Sequence, residues 1–317
     1  MWSDGPRTFF VRENKCADHE GIWSKSARCG FHFFKASKKV GKLGPMHEPN
    51  PIDIAAKASG EPTFREVGVG PWEEAHPGEP RPDDPRFSAQ LLDDGDRRNV
   101  LDRYRYWTVE AIKADLDAHG RHPFEVAVEN WTHDFNIGSM VRTANAFTAN
   151  RVHIVGPHKW NRKGALMTEL YQHVVNHPSI QDLVDDWHTR IASERAEAER
   201  HIAELEPQLL ELAPGDPRTA DLRAGLEQAR HQLHMAQHAK IIALDIVPGA
   251  VPIETYDFPE RCLMLFGAEG PGLSQKAIDL ADDVVYISQF GSVRSINAGA
   301  AAAVSMHAWI SQHADTV

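Results

Sequence analysis

Two apolar segments near the C-terminus, each leading to a turn, constrain the fold more than any other part of the chain. The first, 263–266, runs into the glycine-rich turn 267–274, and the second, 284–287, leads to the polar turn 295–297. A helix of small residues follows the second turn. Strands that end in accessible backbone are typical of α/β proteins, which bind small molecules beyond the carboxyl ends of parallel strands.

The glycine-rich turn has the wrong spacing for two common nucleotide-binding motifs. Its glycines at 267, 270 and 272 do not match the dinucleotide-binding fingerprint, and no Gly-Lys-Ser/Thr follows as a phosphate loop requires. This spacing argues against a dinucleotide-dependent oxidoreductase. Taken alone, the turn is most simply a bend that needs positive φ, with Glu269 as a solvated carboxylate.

A third unit of the same kind lies upstream. The strand-like segment 124–128 leads into a polar turn, and Asn136 is placed to cap the helix that follows. Arg142 lies less than two turns after Asn136, off the apolar face of this helix. That face is formed by residues 137, 140, 141, 144 and 147.

Together, these three units resemble the SpoU/TrmH family of RNA ribose methyltransferases within the SPOUT superfamily. The first motif of that family, Asn-x-Gly-x-x-x-Arg-Thr-Ala, corresponds to residues 136–144. The second, Gly-x-Glu-Gly-x-Gly-Leu, corresponds to 267–273, and the third, Ile-Pro-Met…Ser-Leu-Asn, to 287–297. Apart from one insertion, the resemblance extends over 124–312.

The third motif departs from the family pattern at four positions. Ser288 and Gln289 stand where the family has Pro-Met, and Ala298 and Gly299 stand where it has Val-Ser. We expect these changes to alter the shape of the cofactor loop rather than the reactive groups.

The resemblance implies an S-adenosyl-L-methionine-dependent RNA methyltransferase that acts on a ribose 2′-hydroxyl of tRNA or rRNA. It implies catalytic roles for five residues: Arg142, Asn136, Glu269, Ser295 and Asn297. It implies cofactor binding by Gly267, Ile287, Ile296, Leu265 and Gly270. No metal is expected, because a sulfonium is already a good leaving group.

Arg142 matches an arginine that lies at the reacting hydroxyl in the family. Because an arginine side chain is normally always charged, orienting the hydroxyl and a neighbouring phosphate is a safer role for it than acting as a base. Asn136 and Asn297 can position the loop backbone and the ribose by hydrogen bonds from their side-chain amides.

The strand and helix pattern predicts an α/β fold with a mainly parallel sheet covered by helices on both faces. The resemblance adds a C-terminal trefoil knot to the SPOUT domain, which comprises 124–187 and 240–317, and a homodimer with its site near the interface. Sequence pattern alone does not predict a knot. The expected strands are 124–129, 151–156, 241–246, 261–266 and 284–287.

Residues 188–239 form a separate pattern. Apolar residues recur at steps of three and four on both sides of the turn 214–217, which predicts an antiparallel helical hairpin. Pro207 should kink or restart the first of its helices. Because relatives have a short connection here, we interpret the hairpin as an insertion that docks a partner or braces a dimer.

The N-terminal region differs from the rest of the chain. Residues 1–86 are expected to be a poorly structured extension followed by a Pro/Gly-rich arm, with Met46 as an alternative start. Residues 87–123 should be helical, and their mixed basic and aromatic side chains either contact RNA or pack on the domain. A zinc site is a weak alternative, formed by Cys16, His19, Cys29 and His32.

Composition is that of an ordinary globular protein, with 42% hydrophobic and 25% charged residues. No apolar run is long enough to span a bilayer, no signal peptide is evident and the three cysteines form no disulfide framework, so we expect a cytoplasmic protein. The net charge of −11 counts mildly against nucleic-acid binding, although a local basic patch can still bind RNA. The alternative function is a non-catalytic knotted RNA-binding or assembly module.

Overall fold

The computed structural model describes residues 50–61, 67–131, 136–213, 215–268 and 270–314. The chain divides into two units, Met1–Phe64 and Arg65–Val317. The described part of the first unit contains helix α1 (Pro51–Ser59), whose residues are all exposed. Asn50 caps α1 by accepting a hydrogen bond from the backbone N–H of Asp53 at 2.9 Å.

Several expectations fall on residues outside these ranges. The proposed zinc ligands Cys16, His19, Cys29 and His32 and the acid of the glycine-rich turn, Glu269, all lie outside the described residues. Within the described ranges, no group of three or more His, Cys, Asp or Glu side chains could hold a metal ion. No described helix is long and apolar enough to cross a membrane.

The second unit is built on a seven-stranded sheet in which every pairing is parallel. Its strands are β1 (Glu125–Glu129), β2 (Val152–Val155), β3 (Val174–His177), β4 (Lys240–Leu244), β5 (Val251–Pro252), β6 (Cys262–Phe266) and β7 (Asp283–Tyr286). They lie side by side in the order β3-β2-β1-β6-β4-β7-β5.

The sequence predicts five of these strands and misses β3 and β5. β3 lies at one edge of the sheet and is mostly part-buried or exposed, so its residues do not form a continuous apolar run. β5 has only two residues and lies at the other edge. Both are held by the neighbouring strand rather than by a strong local pattern.

Strand β6 occupies the centre of the sheet although it is late in the chain. Met264 of β6 lies opposite Val126 of β1 on one side and Ile242 of β4 on the other. The loop that leaves β6 is therefore flanked by the ends of β1 and β4. The trefoil knot implied by the resemblance stays a prediction.

Helices cover both faces of the sheet. The helices of this unit are α2 (Trp72–Ala75), α3 (Ala89–Asp94), α4 (Val109–Ala118), α5 (Ile137–Ala146), α6 (Ile180–Leu210), α7 (Thr219–Gln237), α8 (Gln275–Asp279) and α9 (Ala298–His313). Because side chains alternate along a strand, Met264 packs in the core with α5 and α9, whereas Leu263 packs in the core with α6 and α8. The expected α/β fold is confirmed.

The expected hairpin corresponds to α6 and α7, which pack against each other, but its boundary differs from the expected one. α6 begins at Ile180, and its first turns, including Leu183 and Trp187, are buried against the sheet. A boundary at 188 therefore falls inside a continuous helix. Pro207 also lies inside α6, which extends to Leu210. The interpretation of the hairpin as an insertion stays a prediction.

Residues 67–86 are not the arm without a core that their Pro and Gly content suggests. Trp72 packs its ring edge-on against Tyr106, with ring centroids 5.5 Å apart, and Tyr106 donates a hydrogen bond to the carbonyl of Gly70 at 2.7 Å. In the expected helical region 87–123, Tyr104 is buried, which favours packing over RNA contact for this side chain. Aromatic residues spaced across both segments supply this small core.

A buried ion cluster connects α6 to the sheet. Glu125 of β1 is fully buried, and its carboxylate accepts hydrogen bonds from both Nη atoms of Arg190 at 2.7 and 2.8 Å. His153 and Arg261 lie against the same carboxylate at 2.8 and 3.0 Å. Burial alone would raise the pKa of Glu125, but His153 and the two arginines hold that pKa well below its ordinary value.

Removing one cation from this cluster should destabilise the fold. We expect Arg190→Met to lower the free energy of unfolding by about 3 kcal/mol, because it leaves part of a buried charge uncompensated. The matched control is Arg195→Met on the same helix. Its side chain is 55% exposed and pairs with Glu199 alone among the described residues, so the change should cost less than about 1 kcal/mol. Urea denaturation at neutral pH measures both values.

The difference between the two variants should also depend on pH. Because the fold lowers the pKa of Glu125 from an ordinary 4.5, the charged carboxylate stabilises the fold above that pH and this contribution is lost as the pH falls below it. Equal losses in the two variants would mean that the cluster does not stabilise the fold.

Candidate active site

A cavity of about 660 Å³ lies beyond the carboxyl ends of β4, β6 and β7. Residues from three loops surround it: 244–246 after β4, 266–272 after β6, and 285–298 after β7. Its walls combine apolar side chains such as Phe266 and Ile287 with exposed loop backbone. This volume and position are those of a small-molecule site in a parallel α/β protein.

The glycine-rich loop after β6 is folded tightly enough to require glycine. A Cβ atom on Gly267 would lie 2.0 Å from the carbonyl carbon of Gly272, so no other residue fits without moving the loop. Gly272 has a φ of +75° and its N–H donates to the carbonyl of Ala268 at 3.1 Å, which closes the turn. The glycine spacing therefore serves a compact turn that presents backbone to the cavity.

Two carboxylates hold this loop from the neighbouring strands. Asp245, which follows β4, accepts a hydrogen bond from the N–H of Leu273 at 2.9 Å through its Oδ2 atom. Glu129, the last residue of β1, accepts a hydrogen bond from the N–H of Ser274 at 2.6 Å through its Oε2 atom. Charged acceptors bind backbone N–H groups more strongly than neutral ones do, so the loop is fixed on both sides.

The first and third sequence motifs meet beside the cavity. The side chain of Asn297 donates a hydrogen bond from Nδ2 to Oδ1 of Asn136 at 2.9 Å. Asn297 also caps α9, since its Oδ1 accepts from the N–H groups of Gly299 and Ala300. A Cβ atom on Gly299 would lie 2.6 Å from Oγ of Ser139, so this residue allows α9 to approach α5 closely.

Asn136 occupies the N-cap position of α5 but does not cap it with its side chain. Its side chain accepts no hydrogen bond from the first turn of α5 and instead accepts one from Asn297. Arg142, on the same helix, is exposed and forms no ion pair with any described residue. The guanidinium is therefore accessible to a ligand at this edge of the sheet.

Most of the residues expected from the sequence gather here. Four expected cofactor-binding residues, Gly267, Gly270, Ile287 and Ile296, and two expected catalytic residues, Ser295 and Asn297, line the cavity. Asn136 joins this group through its bond to Asn297, and Arg142 lies on the helix that Asn136 begins.

Leu265 does not line the cavity. Its side chain is 1% exposed and packs in the core on the α6 face of the sheet. Because neighbouring side chains of a strand point to opposite faces, the next residue, Phe266, reaches the cavity instead. Cofactor binding at Leu265 stays a prediction, which its buried side chain does not support.

Two charged cavity residues, Asp245 and Arg294, were not predicted from the sequence, and Gln289 was noted only as a departure from the family motif. Gln289 has a buried Oε1 atom without a hydrogen-bond partner in the described structure. Arg294 places an exposed cation on the wall. Asp245 had a visible signal, since an acidic residue directly after a buried parallel strand lies at the edge where ligands bind.

The replacement of proline by Ser288 has a structural explanation. Its backbone N–H and its hydroxyl donate to the carboxylate of Glu254 at 3.3 and 2.8 Å, and a proline could make neither bond. The N–H of Glu254 itself, and then the bonds from Ser288, lower the pKa of the Glu254 carboxyl. The loop after β7 is therefore held by a carboxylate where the family has a rigid ring.

Comparison with known proteins supports this reading of the motifs. Residues 198–307 match the model of the SpoU rRNA Methylase family, and this range contains the second and third motifs. This part of the chain is therefore similar to the SpoU rRNA Methylase family. The first motif, 136–144, lies outside the matched range but bonds to the third motif in the fold.

Individual SpoU relatives match part of the chain. The 23S rRNA (guanosine-2′-O-)-methyltransferase RlmB of Acinetobacter baylyi is 28% identical over 107 residues, which are 33% of this chain and 43% of the relative. The chain thus spans less than half the length of this curated relative.

Solved structures of SpoU proteins also align. The SpoU methyltransferase AviRb from Streptomyces viridochromogenes, in complex with AdoMet, aligns at 23% identity with a TM-score of 0.43, over 61% of this chain and 58% of that one. The AdoMet-bound rRNA methyltransferase from Sinorhizobium meliloti aligns at 16% identity with a TM-score of 0.39, over 60% and 58% of the two chains.

The tight turn after β6 makes a direct test possible. We expect Gly267→Ala to push residues 272 and 273 away and to break the bonds to Ala268, Asp245 and Glu129. Amide hydrogen exchange at Gly272, Leu273 and Ser274 should accelerate by about tenfold or more, which corresponds to roughly 1.4 kcal/mol of lost local stability. The control is Gly291→Ala, which also substitutes a loop glycine but has open space around its Cβ position and no positive φ. Unchanged exchange in Gly267→Ala would show that the turn does not depend on this glycine.

Proposed function

We propose that this chain is an S-adenosyl-L-methionine-dependent RNA methyltransferase that methylates a ribose 2′-hydroxyl of tRNA or rRNA. The observation that carries the proposal is the hydrogen bond between Asn297 and Asn136. It connects the wall of the cavity to the helix that presents Arg142. A cofactor in the cavity and an RNA ribose at α5 would thus be neighbours.

The residues around the cavity fit this cofactor. Its volume of about 660 Å³ lies in the range of small-molecule sites, and its apolar walls suit an adenine ring. Asp245 and Arg294 provide one acidic and one basic group for the zwitterionic amino-acid end of the cofactor. The unpartnered Oε1 of Gln289 offers an acceptor for a ligand N–H group.

When bound, the cofactor would supply a methyl group to the ribose oxygen. The bond between the methyl carbon and sulfur would break as the bond to oxygen forms, and its electron pair would stay on a neutral sulfur. The hydroxyl proton would go to solvent. The residues of the chain supply position. Gly267, Gly270, Ile287 and Ile296 would hold the cofactor, and Ser295 and Asn297 would fix the loop beside it.

On the substrate side, Arg142 would orient the 2′-hydroxyl together with a neighbouring phosphate, since a planar guanidinium can donate to both at once. Asn136 would keep α5 aligned with the cavity through Asn297. For Glu269, the family motif alone suggests a role, which is to accept hydrogen bonds from the loop or the substrate.

We further propose a homodimer in the cytoplasm. Apolar residues are exposed in the loop after β7 and on α9: Phe290 at 97%, Val293 at 62% and Val304 at 43%. An apolar surface of this kind is more stable in a protein interface than in solvent. A second copy that covers them would place its surface beside the site.

Arg142 gives the sharpest test of the enzyme proposal. We expect Arg142→Ala to lower methyl transfer by about 10²-fold or more, equivalent to roughly 3 kcal/mol of transition-state stabilisation, with little change in cofactor affinity. Arg142→Lys should recover little activity, because a point charge cannot donate to two groups as a planar fork does. Asn297→Ala should weaken both cofactor binding and turnover.

The measurements are a filter assay with labelled cofactor and bulk cellular RNA, and a calorimetric cofactor titration of each variant without added metal or nicotinamide. Arg223→Ala, an exposed arginine on α7, is the control and should behave as wild type. Near-wild-type turnover in Arg142→Ala would remove this residue from the site. Failure of the folded wild type to bind the cofactor would leave the non-catalytic RNA-binding or assembly module as the better account.

A further inference from the structure

Acidic residues are missing from one long stretch of an otherwise acidic chain. The chain contains 45 Asp and Glu residues and has a net charge of −11, yet none of them falls between Asn136 and Thr168. The same stretch contains five cations: Arg142, Arg151, Lys159, Arg162 and Lys163. Positive charge is therefore concentrated in one part of the second unit.

Three of these cations lie in a single exposed loop, residues 158–163, which we call the basic loop. Lys159, Arg162 and Lys163 are all exposed. Arg162 lies over the ring of Trp160, with its guanidinium carbon 5.8 Å from the ring centroid. Trp160 itself is part-buried and packs on the main core. The loop is therefore anchored by Trp160, while its charged side chains are exposed.

The basic loop is held in place at both ends. The fully buried Asn130, directly after β1, donates a hydrogen bond from its side chain to the carbonyl of His158 at 2.6 Å. Asn161 accepts a hydrogen bond from the N–H of Lys163 at 3.0 Å and so caps a 3₁₀ turn at 162–165. A loop fixed in this way binds a ligand with little loss of conformational entropy.

The position of the basic loop relates it to the candidate active site. It follows β2, which is parallel to β1 and β6, so it leaves the sheet at the same edge as the cavity. The 3₁₀ turn packs directly on α5, since a Cβ atom on Gly138 would lie 2.9 Å from the Cα atom of Gly164. Arg142 is four residues after Gly138 and therefore lies on the same side of α5.

We propose that the basic loop binds the phosphate backbone of the substrate RNA and so positions the target ribose at Arg142. The proposal rests on the proposed function, because the ligand is the RNA that would be methylated. Exposed Lys and Arg side chains on a rigid loop suit phosphate contacts, which position a nucleic acid without reading its sequence. The chain as a whole has a net charge of −11, which repels the same backbone and favours its docking where cations are concentrated.

The test is a double variant, Arg162→Gln with Lys163→Gln, which removes two charges and keeps polar side chains. Binding is measured by anisotropy of a labelled RNA hairpin with a single-stranded loop, over a series of salt concentrations. We expect RNA affinity to fall by about tenfold, and the slope of log affinity against log salt to become shallower by about 1.5. With bulk cellular RNA, the KM for RNA should rise while the KM for the cofactor stays unchanged.

The matched control is Arg195→Gln with Arg200→Gln on α6. These arginines are also exposed and the change in net charge is the same, but each pairs with glutamates of its own helix. The control should bind RNA as wild type does. An unchanged salt slope in the basic-loop variant, or an equal change in both double variants, would overturn the proposal. Both variants alter only exposed side chains, and thermal unfolding verifies that they fold.

This experiment separates the basic loop from the proposed function. If wild type transfers methyl groups to RNA and the basic-loop variant binds RNA equally well, the enzyme proposal stands and the loop proposal fails. If wild type binds RNA through the loop but transfers no methyl group, the loop proposal stands and the enzyme proposal fails.

Discussion

Two carboxylates at the ends of neighbouring strands hold the loop on which the whole site depends. Because β6 lies between β1 and β4, the loop that leaves it is held by Glu129 on one side and Asp245 on the other. Each carboxylate accepts a backbone N–H that would otherwise be left without a partner at a part-buried position. The strand order thus determines where the loop backbone can meet a ligand.

From this loop, contacts extend across one edge of the sheet. The cavity ends at Asn297, which bonds to Asn136, and Asn136 begins the helix that carries Arg142. The first turn of that helix also packs, through Gly138, on the turn of the basic loop. Small residues at 138 and 299 allow these close approaches, so the cavity, the start of α5 and the basic loop lie along one edge of the sheet.

The sequence predicted the features that depend on local pattern. The ends of five strands and the turns after them were visible as apolar runs followed by glycine or polar residues, and six expected residues line one cavity. Features that depend on strand order were not visible, because the pairing of Asp245 with Leu273 requires β4 to lie beside β6. The face to which Leu265 points depends on the exact register of its strand, and the true start of α6 depends on burial against the sheet.

The chemical position of the transferred methyl group tests the central claim most directly. Purified protein is incubated with isotope-labelled S-adenosyl-L-methionine and cellular RNA, and the RNA is then digested to nucleosides and fragmented in a mass spectrometer. The account predicts that the label is on the ribose fragment of one nucleoside species and depends on the protein. Label on a base fragment, or RNA without label although the protein binds the cofactor, would contradict it.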